Sequence, residues 1–496
     1  MSKTDIAIIA AYLVATTLFG CSFMFRRGGG GDAEGFTTGG GRLPTWAVAL
    51  SIFATHVSSI AFLGLPAKAF ADNWNPYVLS LTVPIAAIVA AVWFVPFYRN
   101  AGSVSAYSFL EARYGAWARL YASACFLVMQ SARSGVILFL MALLVSVLLG
   151  CSVVSVIVVC GLATTVYSLM GGLSAVVWTD AVQSLVLIAG TVLCIAVLGF
   201  AIPDLGAGLS AAADAGKLSL GSFSPLDWSG ETFWVIFVYA MFINLQNFGI
   251  DQSFTQRYVA AKSQAAAAKS LLSSAMLYLV STACFVFIGT LLWMYVRANP
   301  GDVPADVLAK ADAVFPWFIV HRLPTGVSGL LVAAIVAAAM STVSSTLNSG
   351  ATVLLEDYWK RFATRLSDGR TDIRFLRAAT AALGVLAIAI GIGVMNVRSA
   401  LAAFWGMQSV LSGGMLGLFL LALMCRRARG AHAAVATLLG LACIAWVAFG
   451  QSLTGLSVRL HVNLAIVIGT VALVASGAAL AKVRVAPKAH RRMGAE

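Results

Sequence analysis

The sequence predicts an all-α polytopic membrane protein with about thirteen transmembrane helices. Three observations carry that expectation. Mean hydropathy is +0.92. Of the 496 residues, 60% are hydrophobic and only 10% charged, where soluble domains carry roughly 25% charged residues. The apolar residues gather into stretches near the ~20 residues that a bilayer requires, and the cations gather into alternate connecting segments.

In chain order the expected spans are 5–25, 45–70, 76–98, 118–149, 152–170, 174–202, 231–251, 270–297, 325–355, 377–396, 400–424, 432–452 and 461–481. Lys3 before the first span imitates a signal peptide. No small-residue cleavage site follows, and Arg26 and Arg27 should hold the far end inside, so this is a retained helix. The Gly-rich stretch 28–41 reads as a flexible cytoplasmic linker. It is too irregular for a phosphate loop, and no GKS or GKT follows it.

The second span contains HVSSIAFLGLP, with Gly64 and Pro66 inside an apolar run. The seventh ends in NLQNFGIDQ, with Asn247, Gly249 and Asp251. Interrupted helices expose backbone carbonyls, which membranes tolerate where they line a cavity or coordinate an ion. The two spans stand five apart, the separation expected of two five-helix repeats of opposite topology. The polar segment 203–230 and the segment 299–324 belong outside. In the latter, AVFPWFIV is too short to span and suits the interface. The expected organisation is an N-terminal helix and linker (1–44), a ten-helix core (45–424), and two C-terminal helices with a basic tail (425–496).

The net charge of +13 invites a nucleic-acid reading, which its distribution rejects. With the N-terminus outside, one side collects Arg26, Arg27, Arg42, Arg99, Arg113, Arg119, Arg257, Lys262 and Lys269. The same side holds Lys360, Arg361, Arg365, Arg370, Arg374, Arg377, Arg426, Arg427 and Arg429, then the tail residues Lys482, Arg484, Lys488, Arg491 and Arg492. That is about 23 of 32 Lys and Arg, the positive-inside bias that makes these loops and the C-terminus cytoplasmic. The eight cysteines fall in or at the ends of apolar spans without metal-type spacing, as small core residues do.

Several residues do not belong in lipid. In Ala338 to Ser349, AAMSTVSSTLNS, the residues Ser341, Ser344, Ser345 and Ser349 share one helix face, with Thr342 beside them. Such a face looks onto a cavity, a bound ion or another helix. Arg133 lies mid-span, where a cation costs roughly 3 kcal/mol. It either pairs with Asp180 or helix-end carbonyls, or faces a solute cavity ready to bind a carboxylate. Asp180 sits roughly two turns into its span, as a helix N-terminal charge or as a cation ligand. His56 stands close to Ser58 and Ser59. Asp251, Gln252, Gln256 and Arg257 read by default as a solvated helix-end network, and Glu356 and Asp357 as interface residues.

Taken together, YSLMGGLSAVVWTDAVQ (Tyr167 to Gln183), NFGIDQSFTQRY (Asn247 to Tyr258) and AAMSTVSSTLNS resemble the sodium:solute symporter family over nearly the whole chain. The resemblance implies a LeuT-type core of inverted repeats, spans two to six and seven to eleven, preceded by one extra helix. It implies a sodium site built from Ala54 and Val57 of the first core helix with Ala338, Ser341 and Thr342 of the eighth. Asp180, Ser341, Ser344 and Ser345 match a second sodium site that some members carry. Arg133 matches the arginine that pairs with substrate carboxylate in the sialic acid branch, and Ser58 a substrate-facing position there. His56 and Ala61 depart from that branch, where hydroxyl residues are usual, and the first core helix also resembles monocarboxylate and iodide transporters. Asn247 completes the candidate solute-binding set.

The expected function is sodium-coupled secondary symport of a small organic solute by alternating access in the plasma membrane. A carboxylate such as sialic acid, carried with two Na+, is favoured. A neutral sugar or amino acid is the alternative, with a membrane sensor of the same fold behind it. Sodium ions, the solute and the bilayer are the expected partners, with no nucleic acid. HExxH, GxSxG and paired carboxylates within one span are missing, so no enzyme is expected.

Overall fold

The computed structural model describes residues 1–25, 31–102, 104–363, 367–397, 400–454 and 460–482. Arg26, Arg27, Arg365, Arg484, Lys488, Arg491 and Arg492 lie outside the described residues, as do residues 28–30 of the Gly-rich stretch. Every long element is a helix.

The first, α1 (Lys3–Ser22), opens with a capping box between Ser2 and Asp5. The Asp5 carboxylate also accepts the backbone N–H groups of Gly326 (2.8 Å) and Gly329 (3.0 Å). It thereby caps the start of the helix that carries the hydroxyl face, a favourable place for a negative charge. The second span is broken into α2 (Thr45–His56) and α3 (Ser59–Ala71), which meet at a bend of 59°. The break falls at Val57 and Ser58, both extended, and Ser58 Oγ accepts the Ala61 N–H at 3.4 Å. This corrects the expectation that Gly64 and Pro66 make the interruption: both lie inside α3. A membrane helix absorbs a proline where a neighbour packs closely. A Cβ on Gly289 would come within 2.8 Å of Ala69 Cβ.

The third span is α4 (Asn75–Ala101), which contains a π-helical turn over Ala90–Phe94. After it come α5 (Ala116–Leu149) and α6 (Val153–Phe200). At 1.5 Å per residue the 48 residues of α6 would reach about 72 Å, more than twice the ~30 Å hydrocarbon core. Gly172, at φ 57° and ψ −151°, divides it where the sequence places the boundary between two spans. That backbone is one only glycine adopts readily. A Cβ there would also meet Phe36 Cα at 2.6 Å. Phe36 is fully buried in a short helix, Ala33–Thr38. The described part of the Gly-rich stretch is therefore a packed segment rather than a flexible linker, because one aromatic anchors it against Gly172.

The seventh span is broken in turn, into α7 (Phe233–Ile250) and α8 (Gln252–Ala260), with Asp251 extended between them. Then follow α9 (Gln264–Ala298), α10 (Val327–Val353), α11 (Gly369–Gly393), α12 (Ala400–Met424), α13 (Gly430–Thr454) and α14 (Ala465–Lys482). By length and composition, eleven to twelve described helices can cross a membrane, α6 being counted once. The most apolar window of α10 is 89% buried, against 22% for α1, so α10 is the axis of the molecule. Its most extensive packing is against α6.

The segments 203–230 and 299–324 pack onto the broken span. Lys217 donates to the carbonyls of Phe70 and Ala71 (2.8 Å each) and so caps the C-terminal end of α3. The short helix Ala311–His321 holds AVFPWFIV, and Phe315 packs 5.7 Å from Phe62. On the opposite side, Asp357 is fully buried and pairs with Arg119 at 2.6 Å. It is not an interface residue, because a π-helical turn over Leu354–Trp359 brings it onto α5.

Candidate ion and solute site

The break in α2 creates the first part of the site. An unbroken helix would satisfy the carbonyls of Ala54 and Thr55 with the N–H groups of residues 58 and 59. The last regular bond runs from Val57 N–H to Phe53 O (2.9 Å), beyond which the chain is extended. Ala54 O is met by Ser341 Oγ at 3.1 Å, and Thr55 O by Arg133 Nη2 at 3.4 Å. Ser341 Oγ also lies 3.0 Å from Ala338 O, and Thr342 Oγ1 donates to the same carbonyl at 3.1 Å. Ala54, Ala338, Ser341 and Thr342 thus bring backbone and hydroxyl oxygens together where α2 meets α10. Val57, buried at the break, adds a carbonyl outside the helical ladder. Closely spaced neutral oxygens of this kind suit a hard monovalent cation.

The second part is a buried ion pair. Asp180 of α6 and Arg257 of α8 are both 0% exposed, with Arg257 Nη2 at 2.9 Å from Asp180 Oδ2. Ser51 Oγ donates to the same carboxylate oxygen (2.6 Å) and accepts from Arg257 Nε (2.7 Å). Arg257 Nη2 also reaches Ser345 Oγ (2.6 Å), which lies 3.0 Å from Thr55 Oγ1. Arg257 Nη1 donates to the Ser253 carbonyl. Asp180 Oδ1 has no hydrogen-bond partner among the described residues, although it is buried. Ser344 Oγ turns back to the Ser341 carbonyl (3.0 Å). Asp180 and Ser345 thus meet through Arg257, and Ser341 and Ser344 lie within one turn of Ser345 on α10, all of them buried. A buried carboxylate oxygen such as Asp180 Oδ1 is costly unless something positive meets it.

Two expectations change here. Arg257 is neither a loop cation nor part of a solvated helix end. The half-helix α8 is polar by sequence, yet it folds into the core, and its arginine is the largest fully buried side chain. Arg133 does not pair with Asp180, because Arg257 does.

Arg133 is half-buried, and among the described residues no carboxylate forms an ion pair with it. His56, beside it, is half-buried too. Its ring stacks on Tyr278 (centroids 4.2 Å, 26°) and meets Phe248 and Phe254 edge-on. Asn244 is the amide within hydrogen-bonding reach of His56. Asn247, the sequence candidate, is not joined to this group by any described contact. Ser58 caps α3 and is half-buried, as is Gly64, where a Cβ would meet nothing within 4 Å. Asp251 lies behind, bonded by Gln130 Nε2 and by Ser253 N–H (2.8 Å each) and within electrostatic reach of both arginines. Sequence reading passed over Ser51, Thr55 and Asn244. Ser51 and Thr55 do carry a signal, an i, i+4 hydroxyl pair on the helix that supplies Ala54.

A helical bundle with two broken spans five apart, freed carbonyls facing hydroxyls, and buried charges at its centre defines an ion-coupled membrane transporter. Residues 36–440 match the sodium:solute symporter family. The chain belongs to that family, whose members are transporters rather than enzymes and use sodium as the coupling ion. It is 30% identical over 451 residues to the sodium/sialic acid symporter SiaT of Proteus mirabilis, covering 90% of each chain. Against the sodium/sialic acid symporter NanT of Aliivibrio fischeri it is 29% identical, over 88% of this chain and 86% of the relative. Human sodium-coupled monocarboxylate transporter 1 is likewise 29% identical, over 90% of this chain and 74% of its own length. Among solved structures, a substrate-bound, outward-open Na+-coupled sialic acid symporter superposes with a TM-score of 0.89. It is 28% identical, and the match covers 97% of this chain and 98% of that one. The nucleobase-cation symporter Mhp1 shares the fold alone, with a TM-score of 0.54 at 16% identity.

Proposed function

We propose that this sodium symporter imports a sialic acid or a closely similar monocarboxylate, with two sodium ions per solute. The observation that carries the substrate class is Arg133: a guanidinium in the middle of α5, half-buried, bonded to one backbone carbonyl at 3.4 Å and to no carboxylate among the described residues. A bidentate pair with a substrate carboxylate satisfies it. Ser58 and His56 flank that position, with Asn247 as the further polar candidate on α7.

In this reading one sodium takes the carbonyls of Ala54, Val57 and Ala338 with the hydroxyls of Ser341 and Thr342. The other takes Asp180 with Ser341, Ser344 and Ser345. The first ion bridges α2 and α10 at the break and orders the adjoining half-helix α3, whose N-cap Ser58 faces the solute. Ion and solute therefore bind cooperatively. Residues 45–424 act as the transport core, with the N-terminus outside and the C-terminus cytoplasmic, as the cation distribution requires. Two sodium ions with a monoanion carry one net charge inward, so each 100 mV contributes ~2.3 kcal/mol to uphill transport.

The test is thermal stabilisation of the purified protein by N-acetylneuraminate, lactate, galactose and proline, with and without sodium. Stabilisation by N-acetylneuraminate that depends on sodium is the expected result. Stabilisation by galactose or proline alone would assign a neutral solute instead.

A further inference from the structure

We propose that Arg257 is a tethered cation that competes with sodium for Asp180, and that sodium binding shifts its guanidinium toward Asp251. This rests on the second-site reading above and adds to it the group the ion must displace.

The geometry is specific. Arg257 Nη2 lies 2.9 Å from Asp180 Oδ2 and 2.6 Å from Ser345 Oγ, so one nitrogen already bridges two of the four oxygens assigned to the second ion. A guanidinium does not relieve a clash by losing its proton. All members of the pair are 0–1% exposed, so no bulk water screens a sodium ion from the guanidinium. A cation held by Asp180 Oδ2 and Ser345 Oγ and a cation at the present position of Nη2 exclude one another.

The fold supplies the guanidinium with a second seat. Asp251 begins α8, six residues before Arg257, and is 1% exposed. It already lies within electrostatic reach of Arg257. Among the described residues its oxygens accept hydrogen bonds from neutral donors, Gln130 Nε2 and the Ser253 N–H. A guanidinium on its flexible stem passes from one carboxylate to the other without crossing water. With Arg133 also within electrostatic reach of Asp251, neither carboxylate is left without a nearby cation in either state, as buried charges require.

The consequence is coupling. Asp180 stands on α6, Asp251 and Arg257 on the half-helix α8. Occupation of the ion site then changes what holds α8 against α6 and α10, and loss of the ion lets the arginine return. The competing reading is that Arg257 only orients Asp180 for the ion. The two readings differ in sign: removing a competitor tightens sodium binding, and removing an orienting partner weakens it.

The experiment is binding of radiolabelled sodium to the purified full chain, with thermal stability followed in parallel in sodium and in potassium. Arg257→Gln should bind sodium about tenfold more tightly at one of two sites. It should also be less stable than the parent in potassium, where Asp180 is left uncompensated, with the gap closing in sodium. Asp251→Asn should weaken sodium binding about tenfold, because the guanidinium loses its second seat. Unchanged or weaker sodium binding in Arg257→Gln overturns the proposal. If that variant does not fold even in saturating sodium, Asp251→Asn decides: sodium binding that is unchanged or tighter there overturns the proposal. The double variant Asp180→Asn/Arg257→Gln should be stable and bind one sodium ion. Two ions bound there would refute the second sodium site itself, an outcome distinct from a failure of the Arg257 role.

Discussion

Replacing Arg133 by glutamine separates a substrate-binding arginine from a scaffold arginine, because the two roles differ in how far they move stability and substrate affinity. Among the described residues the guanidinium makes one hydrogen bond, to Thr55 O at 3.4 Å, too long to contribute much of the ~1 kcal/mol of an ordinary bond. Against that stands the cost of a cation at the centre of a span, roughly 3 kcal/mol on insertion scales. Removing the charge should therefore change stability by only about 1 kcal/mol, because the saving at Arg133 is partly offset by the loss of its attraction to buried Asp251, and Tm should shift by a few degrees at most. Substrate binding should fall steeply. Losing one member of a buried, charge-assisted pair costs about 2–5 kcal/mol, which is roughly 30- to 4,000-fold in affinity. The assay is a thermal melt of parent and Arg133→Gln in sodium, with and without N-acetylneuraminate, alongside uptake into proteoliposomes. A variant that melts several degrees lower yet transports the solute normally would refute the assignment and return Arg133 to the scaffold.

Further outcomes follow from the same geometry. Ser341→Ala removes the hydroxyl that meets Ala54 O and serves both proposed ions, so half-maximal sodium for uptake should rise at least tenfold. An unchanged sodium dependence would dismiss the site. Gly172→Ala places a Cβ 2.6 Å from Phe36 Cα at a φ of 57° and should leave little folded protein, as read by detergent-solubilised yield. The Glu111 carboxyl lies outside the spans, and its pKa is held below the ordinary 4.5 chiefly by the hydrogen bond from Arg361 and also by Arg119. A depressed folded value means that its contribution is present above pH 4.5 and lost as pH falls through the lower folded value. Glu111→Gln should therefore flatten acid melting curves in that range, the effect being small because the pair is about a third exposed.

Much of the fold is legible as apolar arithmetic. The spans emerge near their expected bounds because lipid forces every backbone group into helices of bilayer length. The boundary inside α6 was visible as two adjacent glycines. Its cause was not, since Phe36, more than a hundred residues earlier, fills the space at Gly172. The interruption of α2 and α3 was expected from Gly64 and Pro66, whereas the chain opens at Val57 and Ser58. Proline reports a missing donor, and only the packing of α9 against α3 decides whether that bends the helix. The hydroxyl face of α10 was read correctly as one face, for periodicity alone reveals it. Arg257 was misplaced because proximity to a span end usually means solvent, and nothing local signals that a nine-residue polar half-helix folds into the core. Charge balance was the available clue: Asp180 and Asp251 are two buried carboxylates, and Arg133 alone cannot compensate both.

Uptake of labelled N-acetylneuraminate into proteoliposomes, driven by an inward sodium gradient or by an equal choline gradient, tests sodium-coupled carboxylate transport most directly. Accumulation in sodium only, with a Hill coefficient approaching two and one positive charge entering per solute, is the expected result. Equal uptake in choline would contradict it.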